Sequence, residues 1–378
     1  MNAPVAPHAS SCRAILRFGI RGGLNNQKEC LVNAGIAAHA LNLTLALPHF
    51  ALIGHGNERF EPKDARYVGS YADREKWGHF GHLFNATWML NKLAFSLDVL
   101  VRLRPVVGIG RPHIVELPSV ANVTRGCTGF MRWQDTCEAR ARDTRLLDML
   151  IRRWRRVITD ECDASRAGGA PIVFDAGRSL CWNVYKSRFA THCVEHYPFC
   201  SKMLKALRWN RVITRLQDRV LRGIARYQAN ATSHALQGIA QHSGAAHGWA
   251  AVHVRAFVCA WNKREPKFDH VATTLAKMGV RNGLLYVVSS VPVEQVQAAL
   301  PQYRVIAKST FLGRDVRLKY PFEVLAAVDY GVAVAAPLYL GEPMMSSFDA
   351  FAQEERRRRG KTLDAVPSTC GAGAGPGA

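Results

Sequence analysis

The chain is 378 residues long, carries 50 Lys and Arg against 29 Asp and Glu for a formal charge of +21, and contains ten cysteines. That length exceeds one ordinary domain and predicts two units, each able to bury its own core. No run of about 18 uncharged apolar residues offers a membrane-spanning helix, the cysteines form no CxxC pair or His/Cys spacing of a zinc site, and the charge favours anionic partners without choosing among nucleic acid, anionic glycan, membrane surface and nucleotide sugar.

Residues 1–12 read as a disordered N-terminus; Met1 to Ser11 has no apolar h-region of a secretory leader. Arg13 to Gly19 reads as a first strand. The turn Gly22-Gly23-Leu24-Asn25-Asn26-Gln27 then opens a helix to Leu41, with Leu31, Ala34, Ala38 and Leu41 at helical spacing, and Leu43 to Leu47 forms a buried strand ending at Pro48. Two glycines let backbone approach a ligand closely, and the helix start presents unpaired N–H groups, although the same turn is ordinary in any α/β domain. Residues 50–130 mix aromatics, glycine and histidine without period, which predicts long loops and some helix between short strands, a place for acceptor recognition. Pro171 to Phe174 is a short strand.

Residues 203–227 give the clearest helix. Leu207, Ile213, Leu216, Val220 and Ile224 form its apolar stripe, and Arg208, Arg211, Arg215, Arg219, Arg222 and Arg226 form a ridge on another face. The ridge is either a solvated face or a contact for an anionic membrane, a polyanion or a partner protein. From residue 246 strand and helix alternate: strands Ala251–Val254, Leu284–Val288, Arg304–Ala307 and Val332–Ala335, helices Val271–Met278, Val293–Leu300, Phe322–Ala327 and Ser347–Arg359. This outlines a doubly wound parallel sheet. Residues 362–378 read as a disordered tail.

Several residues in this frame suit a phosphate-bearing ligand. Arg255 lies just past the end of a central strand, where open α/β sheets bind ligands, and carries a fork of donors; the competing reading is a salt bridge between domains. His253 lies at the same strand end, as a ligand contact or a buried hydrogen-bonded histidine. Ser346 stands three residues before Asp349 with the spacing of a capping box, and hydroxyls with free N–H groups at a helix start also hold phosphate. Asp329 is an acid within an apolar run, costly unless paired. No Asp-x-Asp pattern is present to hold a metal–diphosphate. Cys162, Cys181, Cys193 and Cys200 lie within one stretch and read either as disulfides or as buried thiols. Asn42, Asn85, Asn122 and Asn230 open glycosylation sequons.

Three separated segments, in order, carry a family resemblance: Gly22 to Gln27 with Leu41 to Pro48; Ala251-Val252-His253-Val254-Arg255; and Ala327 to Val332 followed by Ser346-Ser347-Phe348 and Arg356 to Lys361. Together they resemble the GDP-fucose protein O-fucosyltransferase family, particularly its plant and algal branch; residues 50–245 carry no matching motif. The resemblance implies a GT-B-like α/β fold with two Rossmann-like domains facing across a cleft: residues 13–245 as an acceptor-side α/β domain with helical insertions, and residues 246–361 as the nucleotide-sugar domain. It implies an inverting, metal-independent transfer of fucose from GDP-fucose to a hydroxyl of a protein or glycan, with no cofactor, in the ER or Golgi lumen. A leader or anchor would then be missing from this sequence, and a cytoplasmic protein is the alternative. Implied roles are diphosphate contact for Arg255, Ser346, Ser347 and Phe348, nucleotide contact for Gly22, Gly23, Leu24 and His253, guanine contact for Asp329, and a place near the reacting centre for Asn25 and Asn26. Two departures stand out: no carboxylate follows His253-Val254-Arg255 before Glu265, and Gly22 occupies the place where some members carry a glutamate. Alternative readings are therefore another GDP-sugar as donor, a non-catalytic glycan-binding homologue, and, in a different class, a basic nucleic-acid-binding protein.

Overall fold

The computed structural model describes residues 14–20, 23–48, 50–51, 77–93, 113–118, 145–165, 172–177, 179–181, 198–234, 248–254, 268–280, 282–289, 291–341, 346–361 and 364–365. Strand β1 (Ala14–Arg17) is followed by helix α1 (Leu24–Leu41) and strand β2 (Thr44–Leu45), the order that the sequence predicts. Strands β3 (Phe50–Ala51) and β4 (Trp77–Gly78) form a small antiparallel pair, and helix α2 (Ala86–Leu93) follows. Strand β5 (His113–Glu116), helix α3 (Arg145–Ala164) and strand β6 (Ile172–Asp175) complete the first half. Its four-stranded sheet has the order β2-β1-β6-β5, with every pair parallel. The order turns at β1 and β6, so the glycine turn leaves β1 at the switch point where such sheets place ligands.

Helices α4 (Pro198–Ala206) and α5 (Arg211–His234) precede the second sheet. That sheet comprises β7 (Trp249–Val254), β8 (Gly283–Ser289), β9 (Tyr303–Ile306), β10 (Leu338–Gly341) and β11 (Asp364–Ala365), in the parallel order β11-β10-β7-β8-β9. Its helices are α6 (Phe268–Lys277), α7 (Val293–Ala299), α8 (Lys308–Phe311), α9 (Arg314–Lys319), α10 (Phe322–Ala335) and α11 (Ser347–Arg358). Here the switch point lies between β7 and β10. Side chains along β7 alternate between two cores: Ala250, Val252 and Val254 pack with Leu285, Val287 and Leu340, whereas Ala251 joins the large core shared with α1, α10 and the first sheet. Two parallel sheets in an α/β chain are therefore the observed architecture.

Several elements depart from the sequence reading. The helix expected over 203–227 is two helices. Residues 207–210 run extended between them: Phe84 and Trp209 form an isolated antiparallel bridge, Asn85 N–H donates to Arg208 O at 2.8 Å, and Asn210 Oδ1 accepts from Ile213 N–H at 2.9 Å to cap α5. Arg208 thus leaves the ridge and lies over the Trp88 ring, 3.5 Å from its centroid. Arg211, Arg215, Arg219, Arg222 and Arg226 remain exposed along α5, while Ile213, Leu216, Val220 and Ile224 are buried. Val332–Ala335 is not a strand but the last turn of α10; the strand is Leu338–Gly341. Within the expected tail, Asp364 and Ala365 pair in parallel with β10. Helix α5 lies before residue 245 yet packs on α10, where Gln217 Nε2 donates to Ala327 O at 2.8 Å.

The cysteine grouping also changes. Cys181 pairs with Cys30 of α1, 151 residues away, while Cys162 and Cys200 are disulfide-bonded too, and no described cysteine is free. Cys193 lies outside the described residues.

Candidate functional site

Helix α1 begins at Gly23, which is extended (φ −71°, ψ 176°) and offers no side-chain cap. A buried helix start must find acceptors for its free N–H groups elsewhere. One comes from the far half of the chain: Leu24 N–H donates to Glu323 Oε2 at 3.0 Å, and Glu323 stands in the first turn of α10. Glu323 is 1% exposed, and burial pushes its carboxyl up to about 8 against the opposing pull of the Leu24 N–H. Asn25 and Asn26 follow Leu24 and are buried, 3% and 8% exposed. Asn25 Oδ1 and Glu323 Oε1 have no hydrogen-bond partner among the described residues. Farther along α1, Asn33 Nδ2 donates to Leu180 O at 3.0 Å, and the Cys30–Cys181 disulfide ties the helix to the segment after β6.

One turn into α1, Lys28 is buried against three rings, with Nζ 5.5 Å from the centroid of Trp209, 4.9 Å from Tyr330 and 5.0 Å from Phe351. Burial lowers its ammonium to about 8, Glu355 works in the opposite direction, and Arg358 adds to the lowering. Tyr330 OH donates to Glu355 Oε2 at 2.9 Å and to Phe351 O at 3.0 Å. Burial, then the Glu355 charge and hydrogen bond, hold this phenol well above its ordinary range.

At the switch point of the second sheet, His253 ends β7 on the face it shares with Ala251. Its Nδ1 lies 2.8 Å from Asp349 Oδ1, and the hydroxyl of Tyr339 on β10 donates to the same oxygen. Asp349 is fully buried, and its N–H donates to Ser346 Oγ at 3.3 Å, the capping contact expected of α11. This crowding requires Gly341: a methyl there would stand 2.5 Å from Asp349 Oδ1 and 2.9 Å from the Tyr339 hydroxyl. The Phe348 ring lies 4.7 Å from that of His253 and 5.5 Å from that of Tyr330. A chain of contacts therefore runs from His253 through Phe348 and Tyr330 to Lys28 of α1.

The structure accordingly links α1, whose opening carries Gly23, Leu24, Asn25 and Asn26, to Phe348 and His253 through Lys28 and Tyr330, and Ser346, just before Ser347 at the start of α11, to His253 through Asp349. Asp329 makes other contacts: Tyr286 OH donates to its Oδ1 at 2.7 Å and Lys308 Nζ to its Oδ2 at 2.5 Å, so both oxygens are paired within the protein. Gly22 and Arg255 lie outside the described residues. Glu323, Lys28 and Tyr339 are additions that sequence reasoning missed, since their partners lie far away in the chain. Asp349 was visible only as a capping partner. Among the described residues no group of three or more His, Cys, Asp and Glu is arranged to hold a metal ion. An arrangement of this kind offers an imidazole steadied through Nδ1, a helix start beside it, and a second helix start presenting two carboxamides.

No family model matches this chain, and no curated protein matches it. Among solved structures, the apo form of POFUT1 is 13% identical, with 93% of this chain and 97% of that chain covered at a TM-score of 0.49. POFUT1 in complex with GDP-fucose is 12% identical over 93% and 96% of the two chains at 0.48, and the fucosyltransferase NodZ from Bradyrhizobium is 12% identical over 90% and 92% at 0.43. Likenesses of this size assign no activity to the chain.

Proposed function

We propose that this chain is a GT-B-like glycosyltransferase that moves fucose from GDP-fucose to a hydroxyl of a protein or glycan, with inversion at the anomeric carbon and without a metal ion. The observation that carries the reading is the meeting of the α1 opening with the β7–β10 switch point through Lys28, Tyr330, Phe348 and His253. Parts of three sequence segments that resemble one family by motif, the first ending about two hundred residues before the second and the second about seventy before the third, thus lie along one chain of contacts. In the reaction the acceptor oxygen bonds to C1 of the sugar, the bond from C1 to the diphosphate oxygen breaks, and the acceptor proton passes to solvent or a base. Charge developing on the departing diphosphate is the quantity to stabilise. Arg255, with Ser346, Ser347 and the start of α11, would do this, while Gly22, Gly23 and Leu24 let the turn approach the donor, and Asn25 and Asn26 stand near the reacting carbon. Guanine recognition by Asp329 would require the base to compete with Tyr286 and Lys308 for that carboxylate.

Disulfides at Cys30–Cys181, Cys162 and Cys200 support an oxidising compartment, consistent with the ER or Golgi lumen. The exposed arginines of α5 support contact with an anionic membrane or polyanion. A thermal-shift screen tests the central claim: GDP is expected to raise the melting temperature where ADP and UDP do not, and Arg255→Ala to abolish the shift. Absence of a GDP-specific shift, or an unchanged shift in the variant, overturns it. In the same screen, binding of RNA or DNA that weakens steeply with salt, without any GDP response, would favour the nucleic-acid-binding reading.

A further inference from the structure

We infer that Glu323 is a positioning residue for this site: by accepting the Leu24 N–H it fixes where Asn25 and Asn26 stand relative to the His253–Phe348 cluster. The inference rests on the functional reading above for its turnover arm and on geometry alone for the rest. Glycine at the helix start supplies no cap of its own, so the orientation of the first turn of α1 depends on an external acceptor. Glu323 provides it at 3.0 Å from a position 299 residues downstream. The acceptor sits on α10, the helix that also carries Tyr330, so the same element that touches Phe348 holds the α1 opening. Two contacts, Leu24 with Glu323 and Lys28 with Tyr330, tie the first two turns of α1 to the first and third turns of α10. Fixing a helix start at one residue and one turn later sets its angle as well as its position. A misplacement of about 1 Å at reacting groups can cost about 100-fold in rate, which is what makes such a pin consequential.

The Glu323 carboxyl is itself buried, 1% exposed. Burial holds it as a neutral acid at pH 7, so a glutamine of the same shape reproduces its acceptor oxygen. Its sole hydrogen bond among the described residues is the one from Leu24.

Hydrogen exchange followed by mass spectrometry on the full chain tests this directly, comparing wild type with Glu323→Ala and Glu323→Gln. The peptide covering the α1 opening is expected to exchange at least about tenfold faster in Glu323→Ala, the loss of one buried hydrogen bond, and at the wild-type rate in Glu323→Gln. A peptide from β8 should be unchanged in both. Transfer from GDP-fucose should fall in kcat for Glu323→Ala and recover in Glu323→Gln. Wild-type exchange at the α1 opening in Glu323→Ala, faster exchange throughout the molecule, or failure of Glu323→Gln to restore the rate each overturn the inference. If the wild-type chain binds no GDP and transfers no sugar, the functional reading fails, and the exchange result still decides whether Glu323 fixes the helix start.

Discussion

Replacing Glu323 by glutamine should change how the stability of this protein depends on pH. The folded carboxyl titrates at about 8 because burial opposes its charge, against an ordinary value of 4.5. Between those two pH values the folded chain binds a proton that the unfolded chain has released, so stability falls as pH rises through this window. The contribution is complete below 4.5 and gone above about 8. An interval of this width corresponds to about 5 kcal/mol, at about 1.4 kcal/mol for each factor of ten in proton concentration, and water admitted to the site brings the measured value below that limit. Glu323→Gln keeps the acceptor for Leu24 and removes the titration. Urea denaturation of both proteins at pH 5, 6, 7, 8 and 9 should show the variant gaining on wild type by several kcal/mol up to pH 8 and no further, whereas other titrating groups cancel in the difference. A stability difference that stays constant across this range refutes the buried-acid account.

Lys28 should act in the opposite limb. Its ammonium is lowered from 10.5 to about 8, so its contribution is complete above 10.5 and lost as pH falls through about 8; Lys28→Met, denatured by urea at pH 7 and pH 10, should be the more stable protein at pH 7 by up to about 3 kcal/mol and lose that advantage at pH 10. Gly341→Ala places a methyl 2.5 Å from Asp349 Oδ1, so it should cost about 1–3 kcal/mol by thermal denaturation and remove the GDP-dependent shift, since the oxygen displaced is the one that holds His253.

Much of this fold was legible because its signals are local. The helix that starts after Gly23, the spacing of Leu31, Ala34 and Ala38 along it, and the strand ending at Val254 each depend on a few adjacent residues, and each forms as read. Short apolar runs are a different matter. Val332–Ala335 has the composition of a buried strand, yet it completes a helix that is covered by α1, α5 and α11, and a helix buried on most of its faces loses the 3.6-residue period that would identify it. Helix 203–227 failed for the opposite reason: its apolar stripe runs through Leu207, but the backbone at 207–210 is drawn into pairing with residues 83–85, a contact no local pattern contains.

The site shows the same division. His253, Ser346 and Phe348 could be placed by strand end and helix start, whereas Asn25, Asn26, Gln27, Lys28 and Glu29, five consecutive polar residues, would be assigned to solvent by composition and are all buried. A stretch of this kind is expensive unless its groups are answered; Lys28 is answered by Tyr330 and Glu355, roughly three hundred residues away, whereas Asn25 Oδ1 has no hydrogen-bond partner among the described residues. Violations of the rule that polar residues face water concentrate where proteins do chemistry. Here they fall on the first turns of a helix that leaves one sheet at its switch point and ends its approach beside the switch point of the other. Stability alone would have been served by apolar residues at these positions, since replacing buried ionic groups by hydrophobic ones is often neutral or favourable. Their concentration in consecutive positions at this junction is the physical reason to look for the ligand at the α1 opening.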